Sequence, residues 1–214
     1  MSALTFSSHQ QPASADTAFA DFVRGCEAAC AIDPEPTARI ARLAGELARR
    51  WRMPDPRFLQ PEPDAPYASY LLYLSHDARL CIVLDIFLPG QAAVIHNHLC
   101  WCVFACLHGI EHERIYDVDL STGVEPKETS RLSRIPGEIS IASATANGFH
   151  QVECASAEPA ISLHIYGADI GATTRQRWNA EKRAYEDFVG GYSNGVFGLP
   201  TYFDTLVAAK EPTR

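Results

Sequence analysis

The sequence predicts a mainly β protein, a sandwich or barrel that carries helices before and after its strands. From Tyr67 onward, short segments rich in Val, Ile, Leu, Phe and Tyr alternate with turn residues such as His108-Gly109 and Pro136-Gly137. Many short strands separated by such turns are typical of sandwiches and barrels. Before Tyr67, apolar residues recur at helical spacing instead.

Two helices are expected first, over Ala15–Ala31 and Ala38–Trp51, and the stretch Asp33 to Thr37 between them is a helix start signal. The proline-rich stretch Pro54–Pro66 indicates an irregular connection. Eight strands follow in the prediction: Ser69–Leu74, Arg79–Leu88, Ala93–His98, Trp101–Leu107, Glu111–Val118, Glu138–Ala142, Phe149–Cys154 and Ala160–Tyr166.

Three further segments complete the prediction. The polar segment Ser121–Ser133 is expected to be a loop or hairpin tip, and Asn147-Gly148 a turn. A third helix is predicted over Thr174–Val189, followed by wrapped coil over Gly190–Arg214. The resulting organisation is one structural domain, with a flexible tail (1–15), helices and connection (16–66), a barrel (67–173) and a C-terminal helix and tail (174–214).

Composition excludes several function classes. The 214 residues carry a formal net charge of −8, which argues against nucleic acid as a partner because phosphate binding needs a basic patch. No stretch approaches the roughly 20 apolar residues that span a bilayer, and the polar residues 1–15 lack the apolar core of a signal peptide. Seven cysteines, an odd number, favour reduced thiols and a cytoplasmic location. We therefore expect neither a membrane nor a nucleic-acid partner.

The most informative motif is His96-Asn97-His98, which follows Pro89-Gly90-Gln91. Residues two apart on a strand point to the same face, so these two imidazoles can bind one metal ion. His150, on a later predicted strand, can supply a third nitrogen. The pattern predicts a metal site with ligands His96, His98 and His150.

The absence of a nearby carboxylate narrows the chemistry of this site. Many metal barrels of this type use a glutamate four or five residues past the second histidine, where this chain has Cys102 and Val103. Three neutral imidazoles would leave a ferrous ion its full charge and about three open positions, which favours an anionic substrate plus dioxygen. Zinc is the alternative, but such a site normally activates water.

A second polar series lies on the last predicted strand. In the segment Ser162 to Tyr166 the polar residues Ser162, His164 and Tyr166 alternate with apolar ones and therefore share one face. If that face lines the barrel, Ser162 can orient His164, which in turn orients the Tyr166 phenol toward a metal-bound group. The alternative is a sheet with one solvated side.

Taken together, these motifs resemble the cysteine dioxygenase type I family of thiol dioxygenases, within the cupin superfamily. The likeness runs from about Tyr67 to Asn194. It implies a cupin double-stranded β-helix (jelly-roll) barrel, one Fe(II) per chain, and oxidation of a small thiol to its sulfinate by O2. It also implies that His96, His98 and His150 are the iron ligands and that Ser162, His164 and Tyr166 are the catalytic outer-sphere residues.

The likeness is closer to the bacterial 3-mercaptopropionate dioxygenases. Trp101 and the segment 167–171 resemble their sequence, and Arg175 falls where those enzymes bind the substrate carboxylate. Tyr70 is the nearest equivalent, by count, of a further substrate-binding residue, although the family has Arg or Gln there. Cys102 is one residue away from the position that is crosslinked to the tyrosine in animal enzymes. We therefore expect it to face away from Tyr166, without a crosslink.

The resemblance thus implies an iron-dependent dioxygenase of a small mercapto-carboxylic acid, with Arg175, Tyr70 and Trp101 as substrate-binding residues. Its partners would be the thiol and O2, and the protein would be a monomer or weak homo-oligomer. Three alternatives stay open: a cysteine dioxygenase proper, a metal-dependent cupin isomerase or hydrolase, and a cupin that only binds a ligand.

Overall fold

A computed structural model describes residues 14–142, 144 and 148–208 of the chain. The helices are α1 Ser14–Ile32, α2 Thr37–Ala48, a short 3-10 helix Pro56–Leu59, α3 Ser193–Phe197 and α4 Tyr202–Ala208. The strands are β1 Ala68–Leu74, β2 Cys81–Phe87, β3 Cys102–His108, β4 Glu111–Asp117, β5 Lys127–Arg134, β6 Ile139–Ala142, β7 Phe149–Cys154, β8 Ala160–Tyr166, β9 Arg175–Asn179 and β10 Ala184–Phe188.

Two antiparallel sheets form the barrel. One has the strand order β1-β2-β8-β3-β6, and the other contains β5-β4-β7. The segment 92–98 extends the second sheet, because His96 forms a bridge to His150 on β7. The orders β2-β8-β3-β6 and 92–98-β7-β4-β5 are those of an eight-stranded jelly roll. The predicted mainly β fold, a double-stranded β-helix (jelly-roll) barrel, is therefore confirmed.

The larger sheet has two different faces. Its outer face packs against α1 and α2 through apolar residues such as Leu84, Val103 and Leu163, which belong to one large core with Phe19 and Leu47. Its inner face presents the alternate residues of the same strands to the barrel interior. Because side chains alternate along a strand, this parity decides which residues can reach the interior.

The predicted helix over Thr174–Val189 was wrong, since this segment forms the hairpin of β9 and β10. β9 pairs with the free edge of the segment that contains His96 and His98, through Trp178 N to Ile95 O (2.8 Å) and Asn97 N to Gln176 O (3.1 Å). An exposed strand edge needs partners for its backbone groups, and this tertiary pairing outweighs local helix propensity. The tail predicted as coil contains α3 and α4 instead.

Three other expectations also need correction or restriction. The segment Ser121–Ser133, expected to be a loop, contains most of β5. The strand expected over Ala93–His98 is held only by isolated bridges and single hydrogen bonds. Residues 1–13 of the expected tail and Asn147 of the expected turn lie outside the described residues, while residues 14 and 15 already belong to α1. No helix in the described part of the chain is long and apolar enough to cross a membrane.

Candidate metal centre

The three predicted ligands meet inside the barrel. His96 and His150 face each other across an antiparallel backbone pair, with His96 N to His150 O at 3.0 Å and His150 N to His96 O at 2.9 Å. The Nε2 atom of His98 lies 3.1 Å from the Nε2 atoms of both His96 and His150. All three side chains are buried, and their ligand atoms lie within 4.8 Å of one another.

Hydrogen bonds at the Nδ1 atoms of His96 and His150 leave their Nε2 atoms free to bind a cation. His96 Nδ1 lies 2.7 Å from Val94 O, and His150 Nδ1 lies 2.6 Å from Glu113 Oε1. Both partners only accept, so each Nδ1 carries the proton and each Nε2 presents a lone pair. Burial, followed by the nearby His150, lowers the pKa of His96 and His98 well below its usual value. Converging lone pairs repel unless a cation lies between them, so the cluster could hold a metal ion.

Glu113 links the histidines to a buried charge network. Arg134 donates to Glu113, and its Nη1 lies 3.6 Å from Glu111 Oε2; all three side chains are buried. Burial opposes ionisation of Glu113, but His150 and Arg134 outweigh it and bring its pKa to about 2. The carboxylate therefore fixes the tautomer and the orientation of the His150 ring, as carboxylates bonded to metal-binding histidines commonly do. The sequence did not predict this residue.

Two residues of the predicted polar series on β8, His164 and Tyr166, line the same cavity, and the third, Ser162, is hydrogen-bonded to His164. Ser162 Oγ lies 2.7 Å from His164 Nε2, and His164 Nδ1 lies 3.0 Å from the Tyr166 hydroxyl. The Tyr166 ring packs edge-on against His98, with ring centroids 5.1 Å apart. Burial, together with the neighbouring Cys102 and Asp85, raises the pKa of Tyr166 well above its usual value, so the phenol keeps its proton. The expected chain of hydrogen bonds is therefore present beside the histidines.

Two cavity residues were missed by the sequence reasoning. The cavity around the histidines is also lined by Tyr67 and Asp85. Asp85 is the one charged residue of the otherwise apolar strand β2, and all seven residues of that strand are buried. A lone carboxyl in such a strand is a signal that could have identified it, because buried charges need partners.

Arg175 lies near the cavity at the start of β9. It is 4% exposed, and its guanidinium carbon lies 4.6 Å from the centre of the Phe188 ring. Its Nε atom is buried and has no hydrogen-bond partner among the described residues. Its charge lowers the pKa of both His96 and His98, which shows that it is close to the cluster. The guanidinium is thus a buried donor near the histidines with bonding capacity to spare.

Tyr70 and Trp101 do not reach the cavity. The Tyr70 hydroxyl donates to Gln60 O (2.8 Å), and Trp101 Nε1 donates to Pro34 O (3.1 Å). Both side chains belong to the core between the larger sheet and the helices. The count along the sequence placed Tyr70 near the site, but strand parity turns it to the opposite face.

The expectation that Cys102 faces away from Tyr166 was also wrong. The two residues are direct cross-strand partners on β3 and β8, and they belong to one buried cluster with Cys81 and Cys100. All seven cysteines are free thiols. Burial raises the pKa of Cys102 well above its usual value, so this thiol is protonated and inert at neutral pH.

Comparisons with known proteins reach only the level of partial similarity in fold. No family model matches the chain. Similar solved structures include the TT1209 protein from Thermus thermophilus, with 24% identity over 54% of this chain and 96% of that chain and a TM-score of 0.42. A double-stranded β-helix protein from Klebsiella pneumoniae is 14% identical over 52% and 79% of the two chains (TM-score 0.42). An oxalate oxidase bound to glycolate is 14% identical over 50% and 53% (TM-score 0.40). Because these TM-scores are low, the assignment of the fold rests on the strand pairing described above and not on these similarities.

Proposed function

We propose that this protein is a non-haem Fe(II) thiol dioxygenase that converts a small mercapto-carboxylic acid, similar to 3-mercaptopropionate, into its sulfinate. The reaction is R–SH + O2 → R–SO2H, in which both oxygen atoms are added to sulfur. The observation that supports it best is that His164 and Tyr166 line one buried cavity together with the three-histidine cluster, and that Ser162, His164 and Tyr166 are joined by hydrogen bonds. A metal hydrolase would not need a phenol held in this way.

The donor set suits an ion that must bind an anion and dioxygen together. A ferrous ion, when bound, would supply the redox centre at which thiolate and dioxygen meet. The described residues place no carboxylate among the cluster's ligand atoms. Neutral ligands would leave such an ion its full positive charge, which would favour deprotonation of a substrate thiol.

Tyr166 would act as a hydrogen-bond donor to the reacting groups. When the Ser162 hydroxyl donates to His164 Nε2, the proton of His164 lies on Nδ1 and is donated to the phenol oxygen. This tautomer agrees with Asp85 Oδ2, an acceptor 3.6 Å from the same Nδ1. The phenol hydrogen is then free to point toward the histidine cluster. Its raised pKa keeps that hydrogen in place throughout the neutral range.

Arg175 would bind the substrate carboxylate. A guanidinium matches a carboxylate through two parallel hydrogen bonds, and Arg175 is buried with an unpaired Nε. Arg177 on the same strand offers a matched control, because it is paired with Glu186 (2.6 Å) and is more exposed. Arg175→Met should raise KM for a mercapto acid by about 10- to 100-fold, whereas Arg177→Met should change it little.

Oxygen uptake and metal analysis test the proposal. Protein stripped of metal by a chelator and reloaded with ferrous iron is mixed with cysteine, 3-mercaptopropionate, mercaptosuccinate or cysteamine, and sulfinate is measured. We expect uptake with at least one thiol carboxylate and none with zinc-loaded protein. No sulfinate from any of the four thiols would contradict the proposal. Stoichiometric zinc in protein as purified would favour a hydrolase or isomerase.

A further inference from the structure

Glu111 is a buried carboxyl group of the barrel interior. It is the first residue of β4, its side chain is fully buried, and its Oε2 lies 3.6 Å from Arg134 Nη1. Neither of its oxygens has a hydrogen bond of good geometry to a described residue. The Ser162 hydroxyl is the polar group that most lowers the pKa of Glu111, so it lies beside this carboxyl. Glu111 is therefore next to the hydrogen-bonded chain of Ser162, His164 and Tyr166, at the end away from the phenol.

Ser162 has only one hydrogen to donate. A serine hydroxyl carries one hydrogen and two lone pairs, and two acceptors compete for it here: His164 Nε2, 2.7 Å away, and Glu111. An ionised Glu111 can only accept, so the Ser162 hydrogen then points to it. His164 in turn carries its proton on Nε2, and its Nδ1 accepts the hydrogen of the Tyr166 hydroxyl, 3.0 Å away. The phenol hydrogen is thereby turned away from the histidine cluster.

A protonated Glu111 reverses each of these hydrogen bonds. It donates to Ser162, Ser162 donates to His164 Nε2, and the His164 proton lies on Nδ1 and is donated to the phenol oxygen. The Tyr166 hydrogen is then free to point toward the histidine cluster. The two states differ by one proton, that of Glu111, because the other three side chains carry the same number in both. Burial raises the pKa of Glu111, so the protonated state extends to higher pH than in an exposed glutamate.

We propose that Glu111 is a positioning residue that sets the direction of this chain of hydrogen bonds, so that Tyr166 presents its hydrogen to the histidine cluster only while Glu111 is protonated. The use of the phenol in catalysis rests on the proposed function, whereas the direction of the chain does not. Other titratable or charged groups face Glu111 from its own strand and from the strands around it: Asp85, Cys106, Glu113, Arg134 and Cys154.

Asp85 would act on the chain in the opposite direction. Its Oδ2 lies 3.6 Å from His164 Nδ1, so an ionised Asp85 favours a proton on that nitrogen. Burial raises the pKa of Asp85 to about 7, which places its ionisation in the neutral range. Rising pH therefore moves the His164 proton to Nε2 if Glu111 controls the chain, and toward Nδ1 if Asp85 does. The sign of the change separates the two carboxyls.

The tautomer of His164 can be read by ¹⁵N NMR of histidine-labelled, metal-free protein, because protonated and unprotonated ring nitrogens resonate far apart. The spectrum of His164→Gln identifies the two signals. In wild type we expect the proton to move from Nδ1 to Nε2 between about pH 5 and pH 9, the range into which burial can shift a carboxyl. In Glu111→Gln the amide can donate to Ser162 and its oxygen can accept from Arg134, so the proton should stay on Nδ1 throughout.

Two further variants complete the test. Glu128→Gln is the control, because Glu128 is a partly exposed carboxylate paired with Arg131 (3.1 Å), and it should behave as wild type. Ser162→Ala removes the hydroxyl through which Glu111 acts. In that variant the His164 proton should no longer move to Nε2 as pH rises.

Three results would overturn the inference: a wild-type His164 proton that stays in place over this range, one that moves toward Nδ1 as pH rises, or a move to Nε2 that persists in Glu111→Gln. The wild-type titration needs no variant, so it decides the question even if Glu111→Gln does not fold. Failure of the proposed function would look different, because the tautomer would follow Glu111 while iron-reloaded protein gave no sulfinate. Where reloaded protein does oxidise a thiol, kcat of wild type should fall about tenfold per pH unit above the transition seen by NMR. A level kcat there would overturn the link to Tyr166.

Discussion

Replacing Glu113 with glutamine should weaken metal binding without removing a ligand. The glutamine side chain can turn its carbonyl oxygen toward His150 Nδ1, so the hydrogen bond now measured at 2.6 Å can persist while the negative charge is lost. Loss of a partner of this kind typically costs 10- to 100-fold in metal affinity, or about 1.4 to 2.7 kcal/mol. We expect an effect in this range for ferrous or cobaltous ion.

The same substitution should destabilise the metal-free protein. Arg134 would lose its closest carboxylate and keep only Glu111, 3.6 Å from its Nη1. Breaking a buried pair from one side costs about 3 to 5 kcal/mol, and the remaining Glu111 places the expected loss near 3 kcal/mol. The folded pKa of Glu113 is about 2, below its unfolded value near 4.3. This contribution is therefore complete above about pH 4.3 and disappears as pH falls toward 2.

Two assays check these figures. Competition with a chromophoric chelator under nitrogen gives the metal affinity, and urea unfolding of chelator-treated protein gives the stability at several pH values. Glu153→Gln is the control, because Glu153 lies on β7, as His150 does, but forms its ion pairs among the described residues with Arg114 (2.7 Å) and His112 (3.5 Å). If Glu113→Gln retained metal affinity within twofold of wild type, the role assigned to this carboxylate would be refuted.

Three further predictions follow from the same geometry. Asp85→Asn should become more stable than metal-free wild type as pH rises from 4 to 8, by up to about 4 kcal/mol. The folded pKa of Asp85 is about 7, so its carboxyl is harder to ionise in the folded protein than in the unfolded chain, and wild type loses stability as pH rises. Equal pH profiles of the two proteins in urea unfolding would argue against this. Tyr166→Phe should lower kcat by about 100-fold while thiol binding under nitrogen changes little, and an unchanged kcat would exclude the phenol from the reaction. His98→Ala should abolish the stabilisation that ferrous iron gives wild type, which is about 2.7 kcal/mol at 100 times Kd and is observed as a rise in Tm. A retained rise in Tm would mean that the ion binds elsewhere.

The histidine pair and the polar series on β8 could be predicted from the sequence because each depends on one local pattern. His96 and His98, like Ser162, His164 and Tyr166, share a face by the alternation of a single strand. In the structure the two histidines line one cavity with His164 and Tyr166. Tyr70 and Cys102 show the limit of counting along the chain. Their faces depend on the exact strand register, and an error of one residue reverses the side chain.

Glu113 and Arg175 illustrate what local patterns cannot show. β4 carries polar residues on both faces, with Glu111 and Glu113 buried and His112 and Arg114 partly exposed, so its periodicity does not distinguish a solvated face from a buried charge network. Arg175 was assigned to substrate binding on the resemblance, but its segment was expected to be helical. Its position near the histidines depends on the pairing of β9 with the segment of His96 and His98, and such long-range pairing leaves no mark in local sequence.

Isotope labelling tests the central proposal most directly. Iron-reloaded protein is supplied with ¹⁸O2 and the best thiol of the panel, and the product is analysed by mass spectrometry. The proposed reaction predicts a sulfinate in which both oxygen atoms carry the label, with one dioxygen consumed per thiol. Label in water or peroxide with a disulfide product, or a sulfinate oxygen taken from solvent, would contradict it.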